Sequence, residues 1–234
     1  MKYDTLPFKG FSPKAKNFFA ELEQNNNREW FNENKDTYEK LIKEPSKDLV
    51  SSMAQIFATN GIKYEADSKK SLFKIHRDIR FSKNKDPYKT NMGVLFPYTH
   101  PALSSKPIES PGLYFHLENS ETFIAGGLHM PSNDALKLIR NRIAEDWEIL
   151  NKIIKSKSFS KEFPDVFSNE QLKRMPSGFP QDHPAGNLLR LKGFTVYCKI
   201  SFKDIISHEL LKLLEQKAIA LAPLNEYLAE ALES

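Results

Sequence analysis

Apolar residues recur every three or four positions through the first third of the chain. Ala15, Phe18, Phe19 and Leu22 fall on one helical face, and Ser12-Pro13 ahead of them offers a cap residue and a proline suited to a first helical turn. Asn25, Asn26 and Asn27 interrupt the pattern, because asparagine amides compete for nearby backbone groups. A second helix is predicted with Trp30, Phe31, Tyr38, Leu41 and Ile42. Pro45 either ends it or opens a third, through Leu49, Met53, Ile56 and Phe57, that stops at Asn60-Gly61. From residue 73 the period drops to two. Phe73, Ile75, Ile79 and Phe81 share a parity, which predicts a strand over 73–81. Apolar runs at 93–96, 112–117 and 121–128 predict further strands, the last two joined by Glu118-Asn119-Ser120 as an antiparallel hairpin.

Residues 97–111, rich in Pro and Ser, read as a loop. Ser132 then caps an amphipathic helix whose buried stripe is Leu136, Ile139, Ile143, Trp147 and Leu150. Pro164, Pro176, Gly178, Pro180, Pro184 and Gly186 punctuate a long loop over 164–187. Phe194, Val196, Cys198 and Ile200 alternate as one more strand, and a last helix over 204–221 is expected to end at Ala222-Pro223. The order predicts an α+β fold: a mostly antiparallel sheet with helices packed on it and a helical N-terminal segment. Predicted strands spread over 73–200 interleave with helices, so a single domain over residues 1–234 is expected.

Composition narrows the class. Hydrophobic residues at 40% and charged ones at 27% of 234 exclude wholesale disorder. A lone Cys198 excludes an internal disulfide, a cysteine zinc cluster and a CxxC redox pair, and its alternation with Phe194 and Val196 suggests a small buried apolar residue. The first ten residues hold no apolar signal-peptide region, and no run of 18 uncharged apolar residues occurs. A cytoplasmic protein without a membrane partner is the expectation.

Charge changes the picture further. Residues 73–91 read FKIHRDIRFSKNKDPYKTN, with six bases against two acids, a net +4 that equals the formal charge of the whole chain. Concentrating the excess in one aromatic-seeded stretch predicts a place for an anion. On a strand, Lys74, His76, Asp78 and Arg80 would share one face, while Arg77 would lie with the apolar residues and need a carboxylate or an anion. Residues 82–87 read as a turn able to fold basic side chains around phosphate or carboxylate oxygens. The bland alternative is a charged hairpin whose arginines bridge to the protein's own acids.

Several blocks together resemble the domain of unknown function 2461 family, known mainly from bacteria. They are residues 25–31 (NNNREWF), 75–90, the hairpin 112–131, Ile139-Arg140, residues 172–179, Asp182-His183-Pro184 and residues 188–192. The likeness runs from about Phe11 to Tyr227. It implies an intact single-domain, intracellular member, and it transfers no activity and no catalytic residue.

The residues then support a ligand reading of their own. Arg77, Arg80, Lys85 and Lys89 would hold an anionic small molecule, with Tyr88 donating a hydrogen bond and Arg28, Trp30, Lys173 and Arg174 as lesser contributors. His76 and His183, the latter next to Asp182, are the candidate proton-transfer groups. His76, His116 and His129 lie on candidate strands but lack HxH or HExxH spacing, so no metal is predicted. No motif names a cofactor: Gly126-Gly127 lacks dinucleotide-binding spacing and reads as close packing or a bulge. A nucleic-acid module, with Trp30, Phe81 or Tyr88 stacking on bases, and a protein-docking domain are the rival readings.

Overall fold

The computed structural model describes residues 3–103, 110–167 and 171–233. Residues 104–109 and 168–170, parts of the two predicted loops, lie outside the described residues. The N-terminal helices follow the apolar spacing closely. α1 (Ala15–Gln24) buries Ala15, Phe18, Phe19 and Leu22. Ser12 helps to start it, its hydroxyl accepting from the Lys14 N–H at 3.2 Å. α2 (Arg28–Glu33) is capped by Asn27, whose side-chain oxygen accepts from the Trp30 N–H at 2.9 Å. After α3 (Lys35–Tyr38), a π-helical turn at Glu39–Lys43 leads into α4 (Glu44–Asn60). Pro45 sits in the first turn of α4, where its missing N–H costs nothing, so it opens a helix. Gly61, at φ 62°, closes it in the left-handed conformation.

Four strands, β1 (Asn91–Pro97), β2 (Gly112–Glu118), β3 (Thr122–Leu128) and β4 (Phe194–Lys199), form an antiparallel sheet in the order β1-β2-β3-β4. The predicted β2–β3 hairpin is present, with the Glu118 N–H donating to the Glu121 carbonyl at 3.0 Å. Along β2, Leu113, Phe115 and Leu117 are fully buried, while Tyr114 and Glu118 on the opposite parity stay partly exposed. α5 (Asn133–Lys155) and α6 (Lys157–Glu162) follow β3, and α7 (Gly186–Leu189) precedes β4. α8 (Phe202–Ile205) and α9 (Glu209–Ala231) close the chain. Helices with an antiparallel sheet make the fold α+β, with the helical N-terminal segment read from the sequence.

Two expectations need correction here. Pro223 does not end the last helix, because α9 runs on to Ala231. A proline removes one backbone bond, whereas Leu224, Tyr227, Leu228 and Ala231 beyond it are all buried, and that packing carries the helix past the break. Trp147 is only half-buried, since α5 kinks at Asp146 (φ −140°) and the predicted stripe changes direction there.

The described chain divides into two compact units, each drawn from three stretches. The first comprises Met1–Phe96, Tyr114–Ile124 and Lys199–Glu215. Its core is built from rings: Phe8 meets Phe11 edge-on at 5.3 Å, and Phe11 stacks on Phe115 at 6.0 Å. The second comprises Pro97–Leu113, Ala125–Cys198 and Gln216–Ser234, with Ile139, Ile143, Leu150, Phe159, Phe163, Phe194 and Leu221 fully or almost fully buried. Among the described residues no helix is long and apolar enough to cross a membrane.

The Gly126-Gly127 pair is a close-packing device in the second unit. A Cβ on Gly126 would fall 2.0 Å from a Leu221 methyl, and one on Gly127, at φ 95°, would fall 2.0 Å from the Phe194 carbonyl oxygen. Gly127→Ala is therefore expected to lose roughly 1–3 kcal/mol to backbone strain and more to collision with main chain that cannot yield. Gly61→Ala, at φ 62° with nothing within 4 Å, isolates the dihedral cost alone. Urea denaturation should rank Gly127→Ala clearly below Gly61→Ala; equal losses would mean that the close approach to β4 carries no weight.

Candidate functional site

The basic segment folds as a hairpin, though not as the predicted strand. Residues 71–77 run antiparallel to 87–95, joined by bonds from Leu95 N–H to Ser71 (2.9 Å), Phe73 N–H to Gly93 (3.1 Å), Lys89 N–H to Ile75 (2.8 Å) and Arg77 N–H to Pro87 (2.9 Å). The pairing survives only as isolated bridges, Leu72 with Val94 and His76 with Tyr88. Residues 78–86 leave the ladder altogether as an irregular tip. The alternation that predicted a buried face fails in consequence: Ile75 is buried, but Phe73 is 46% and Phe81 95% exposed. Period two marks a strand only where a neighbour covers one face, and here a neighbour is present for a few residues alone.

What fixes the hairpin is the asparagine turn between α1 and α2. The Asn26 side chain accepts from the Tyr88 N–H at 3.1 Å and donates to the Tyr88 carbonyl at 3.0 Å. This two-way clasp copies the pairing of a neighbouring strand using one amide. Below it Tyr88 is buried and stacks on Phe31 at 4.0 Å and 18°. His76 packs its ring 5.2 Å from Tyr88 and 6.4 Å from Phe31, in an exposed position. Tyr88 and Trp30 therefore act first as packing groups, Trp30 lying against Phe18 at 5.7 Å. Arg28, exposed, follows two residues after the clasp.

The cations differ in how far they are committed. Arg80 is fully engaged, its guanidinium forming two bonds with Asp78 at 2.9 and 2.6 Å. That pairing holds the Asp78 carboxyl below its usual range. Lys85 donates to the Ile79 carbonyl at 3.0 Å and closes the tip. Arg77 reaches Asp86 only at 4.0 Å. Lys89 lies over the Phe73 ring at 5.4 Å. Among the described residues, Lys74, Lys83, Lys89 and Arg28 have no carboxylate within ion-pair distance.

Next to Phe73 stands a feature that sequence reasoning missed. Tyr114, His116 and Glu118 alternate along one face of β2. The Tyr114 hydroxyl lies 3.0 Å from His116 Nδ1, and His116 Nε2 lies 3.2 Å from a Glu118 oxygen. Ser120 donates to the other Glu118 oxygen at 2.5 Å. The His116 ring is stacked flat on Phe123, centroids 4.5 Å apart at 12°, and Phe73 flanks Tyr114 at 5.8 Å. Gly93 makes room for the phenol, since a Cβ there would sit 2.5 Å from the hydroxyl. Burial, with Glu118 adding to it, pushes the Tyr114 hydroxyl up to about 12. The signal was present in the sequence as three polar residues on one parity of a strand.

The second unit holds the remaining candidates. His183 Nδ1 accepts from the Ala185 N–H at 3.1 Å and shapes the start of α7, so its ring is held by backbone where Asp182 had been expected to orient it. Lys173 and Arg174 are exposed in the same unit. Arg140 anchors the segment around α7, donating to the carbonyls of Leu189 (2.8 Å) and Leu191 (2.9 Å). Cys198 is not the buried apolar residue expected: it is partly exposed, and Lys217 donates to its sulfur at 3.2 Å. Lys217, itself buried, also pairs with Glu162 at 3.1 Å.

The three predicted strand histidines do not assemble as a metal set. His116 is taken by Tyr114 and Glu118. Among the described residues, the group of metal-capable side chains that does come together is His100, Glu226 and Glu230. It is tied internally, Arg142 reaching Glu230 at 2.6 Å and Tyr98 donating to Glu226.

A family model described as a conserved hypothetical protein, DUF2461, matches residues 14–227. The chain belongs to that family. No curated protein and no solved structure matches it.

Two outcomes follow from these contacts. Asn26→Ala removes both bonds to Tyr88 and should cost roughly 1–3 kcal/mol, with faster hydrogen exchange in residues 87–89; unchanged exchange there would mean that Asn26 does not hold the hairpin. Alkaline titration tests two half-buried phenols. Tyr114 and Tyr38 are each pushed up to about 12, Tyr38 by burial and then by Glu39. Their protonated form is favoured by folding, so this share of stability is complete below pH ~10 and is lost as pH rises towards about 12. Phenolate absorbance and the thermal midpoint should change together over that interval. Early phenolate formation without loss of stability would contradict it.

Proposed function

We propose that the hairpin over residues 74–91 binds an anionic small molecule carrying a phosphate or carboxylate group. One observation carries this reading: a pinned hairpin presents Lys74, Lys83 and Lys89, with Arg28 nearby in sequence to the Asn26 clasp, and none of them has a carboxylate within ion-pair distance among the described residues. Arg77, at 4.0 Å from Asp86, is held loosely enough to turn to a ligand. Arg77 and Lys89 lead in this assignment. Arg80 and Lys85 already have internal partners and contribute mainly by shaping the tip. Guanidinium and ammonium groups converging on oxyanions form charge-assisted bonds about twice as strong as neutral ones, which suits a phosphate or carboxylate ligand.

A second reading has its own support. Phe81 is 95% exposed at the tip with the Arg80 guanidinium 5.8 Å from its centroid, a pairing of aromatic and cation that suits an unpaired nucleobase. Calorimetric titration with pyrophosphate and with citrate, beside fluorescence anisotropy with a labelled oligothymidylate at 50 and 200 mM salt, separates the two. Pyrophosphate or citrate should bind. Arg77→Gln and Lys89→Gln should each weaken that binding about tenfold, the loss expected of one charge-assisted contact, without lowering the thermal midpoint. Oligonucleotide affinity that falls steeply with salt and depends on Phe81, with no response to either small anion, transfers the function to nucleic acid. Silence in every titration overturns both.

A further inference from the structure

The row on β2 has no part in anion binding as proposed, and its order is chemically directional. One ring nitrogen of His116 faces a phenol, and the opposite nitrogen of the same ring faces a carboxylate. With Glu118 ionised, His116 carries its proton on Nε2 and leaves Nδ1 as the acceptor for the Tyr114 hydroxyl. The ring cannot swing away without losing its flat stack on Phe123. Glu118 is itself oriented by Ser120. These are the roles of nucleophile, base and orienting acid, each within hydrogen-bond reach of the next. A plain surface row would not need the middle ring buried, yet His116 is only 9% exposed between partly exposed partners.

We propose that Tyr114, His116 and Glu118 form a proton relay that makes the Tyr114 hydroxyl a nucleophile towards activated acyl groups. In the step, Tyr114 Oη forms a bond to the acyl carbon and the leaving group departs with the electron pair of the broken bond. The phenol proton passes to His116 Nδ1, and Glu118 balances the resulting imidazolium. His116 gives that proton to the leaving group or to solvent, and water then cleaves the acyl-tyrosine. Its oxygen bonds to the acyl carbon as the bond from that carbon to Tyr114 Oη breaks, one of its protons stays with the acid formed, and the other passes through His116 Nδ1 to Tyr114 Oη. A hydroxyl that keeps its own proton at neutral pH gains reactivity only through such a base. Tyr114 is the residue that touches the substrate, His116 moves the proton, and Glu118 is a positioning residue.

The full chain and the neutral probe p-nitrophenyl acetate test this, so the result does not depend on the hairpin's binding any anion. Nitrophenolate release should be accompanied by acetylation of Tyr114, found by peptide mass spectrometry at least tenfold faster than of Tyr3 or Tyr38. The pH dependence of labelling should show one inflection. His116→Gln should remove the inflection and slow labelling at least tenfold. Glu118→Gln should displace it to lower pH and slow labelling several-fold, with Glu118→Asp recovering part of the rate. Tyr114→Phe should abolish the label at that position, and circular dichroism reports whether each variant folds. Tyr114 labelled no faster than the other tyrosines, or at the same rate in His116→Gln, overturns the proposal. So does a Glu118→Gln profile that coincides with the wild type.

Discussion

Side chains on a strand alternate between faces, and β2 shows how much of this protein rests on that constraint. One parity, Leu113, Phe115 and Leu117, is sealed in the core, which leaves the other parity to carry Tyr114, His116 and Glu118. Burying three large apolar side chains fully contributes on the order of 1.5–3 kcal/mol each, far more than any polar contact on the opposite face. The register of β2 is thus set by its dry side. A slip of one residue would drive a phenol and a carboxylate into the core and expose the three apolar side chains, at several kcal/mol. The polar row is therefore held in line by groups it never touches, and its geometry costs little to maintain.

The hairpin depends on a different device. Its arms pair through scattered backbone bonds, too few to hold an irregular tip in place unaided. Asn26 supplies the missing neighbour with one amide, and the Phe31–Tyr88 stack adds roughly 0.5–1.5 kcal/mol beneath it. The exposed Asp78–Arg80 pair contributes shape and little stability, since both groups stand in solvent. The arms are thus fixed while Lys74 and Lys83 stand exposed and Arg77 and Lys89 half-exposed along them, the arrangement on which the proposed anion site rests.

How much of this could be read from the sequence depends on whether a pattern is local. Helix starts and stops were legible because caps act within four residues: Asn27, Ser132 and Gly61 stand where the spacing put them. The strands at 93–96, 112–117, 121–128 and 194–200 were legible because each has a covered face. The strand over 73–81 was not, since the same alternation occurs in a segment with almost no partner, and Phe81 ends in solvent. Pro223 misled because the burial of Leu224, Tyr227 and Leu228 is a tertiary fact. The basic segment was found by charge alone, whereas the commitment of Arg80 to Asp78 is a matter of local geometry that counting charges does not reveal. Asp182 as the orienting partner of His183 and the burial of Cys198 were misjudged alike, because a backbone N–H and the ammonium of a distant Lys217 decide their surroundings.

Phe73 joins the two halves of the functional reading within the first unit. Large apolar rings are usually withdrawn from water, yet this one is 46% exposed, with the Lys89 ammonium over it and Tyr114 at its side. A cation on the ring face offsets part of the cost of that exposure. The same contact carries an ammonium of the proposed anion site to the ring that also flanks the end of the proposed relay. On these two proposals a substrate with an acyl group and a negative charge would lie across Phe73, its charge towards Lys89 and its carbonyl towards Tyr114. Each proposal can fail without the other, because a neutral ester reports on the relay and an unreactive anion on the hairpin. Only a substrate carrying both groups would need Phe73, and this separates a shared site from two neighbouring ones.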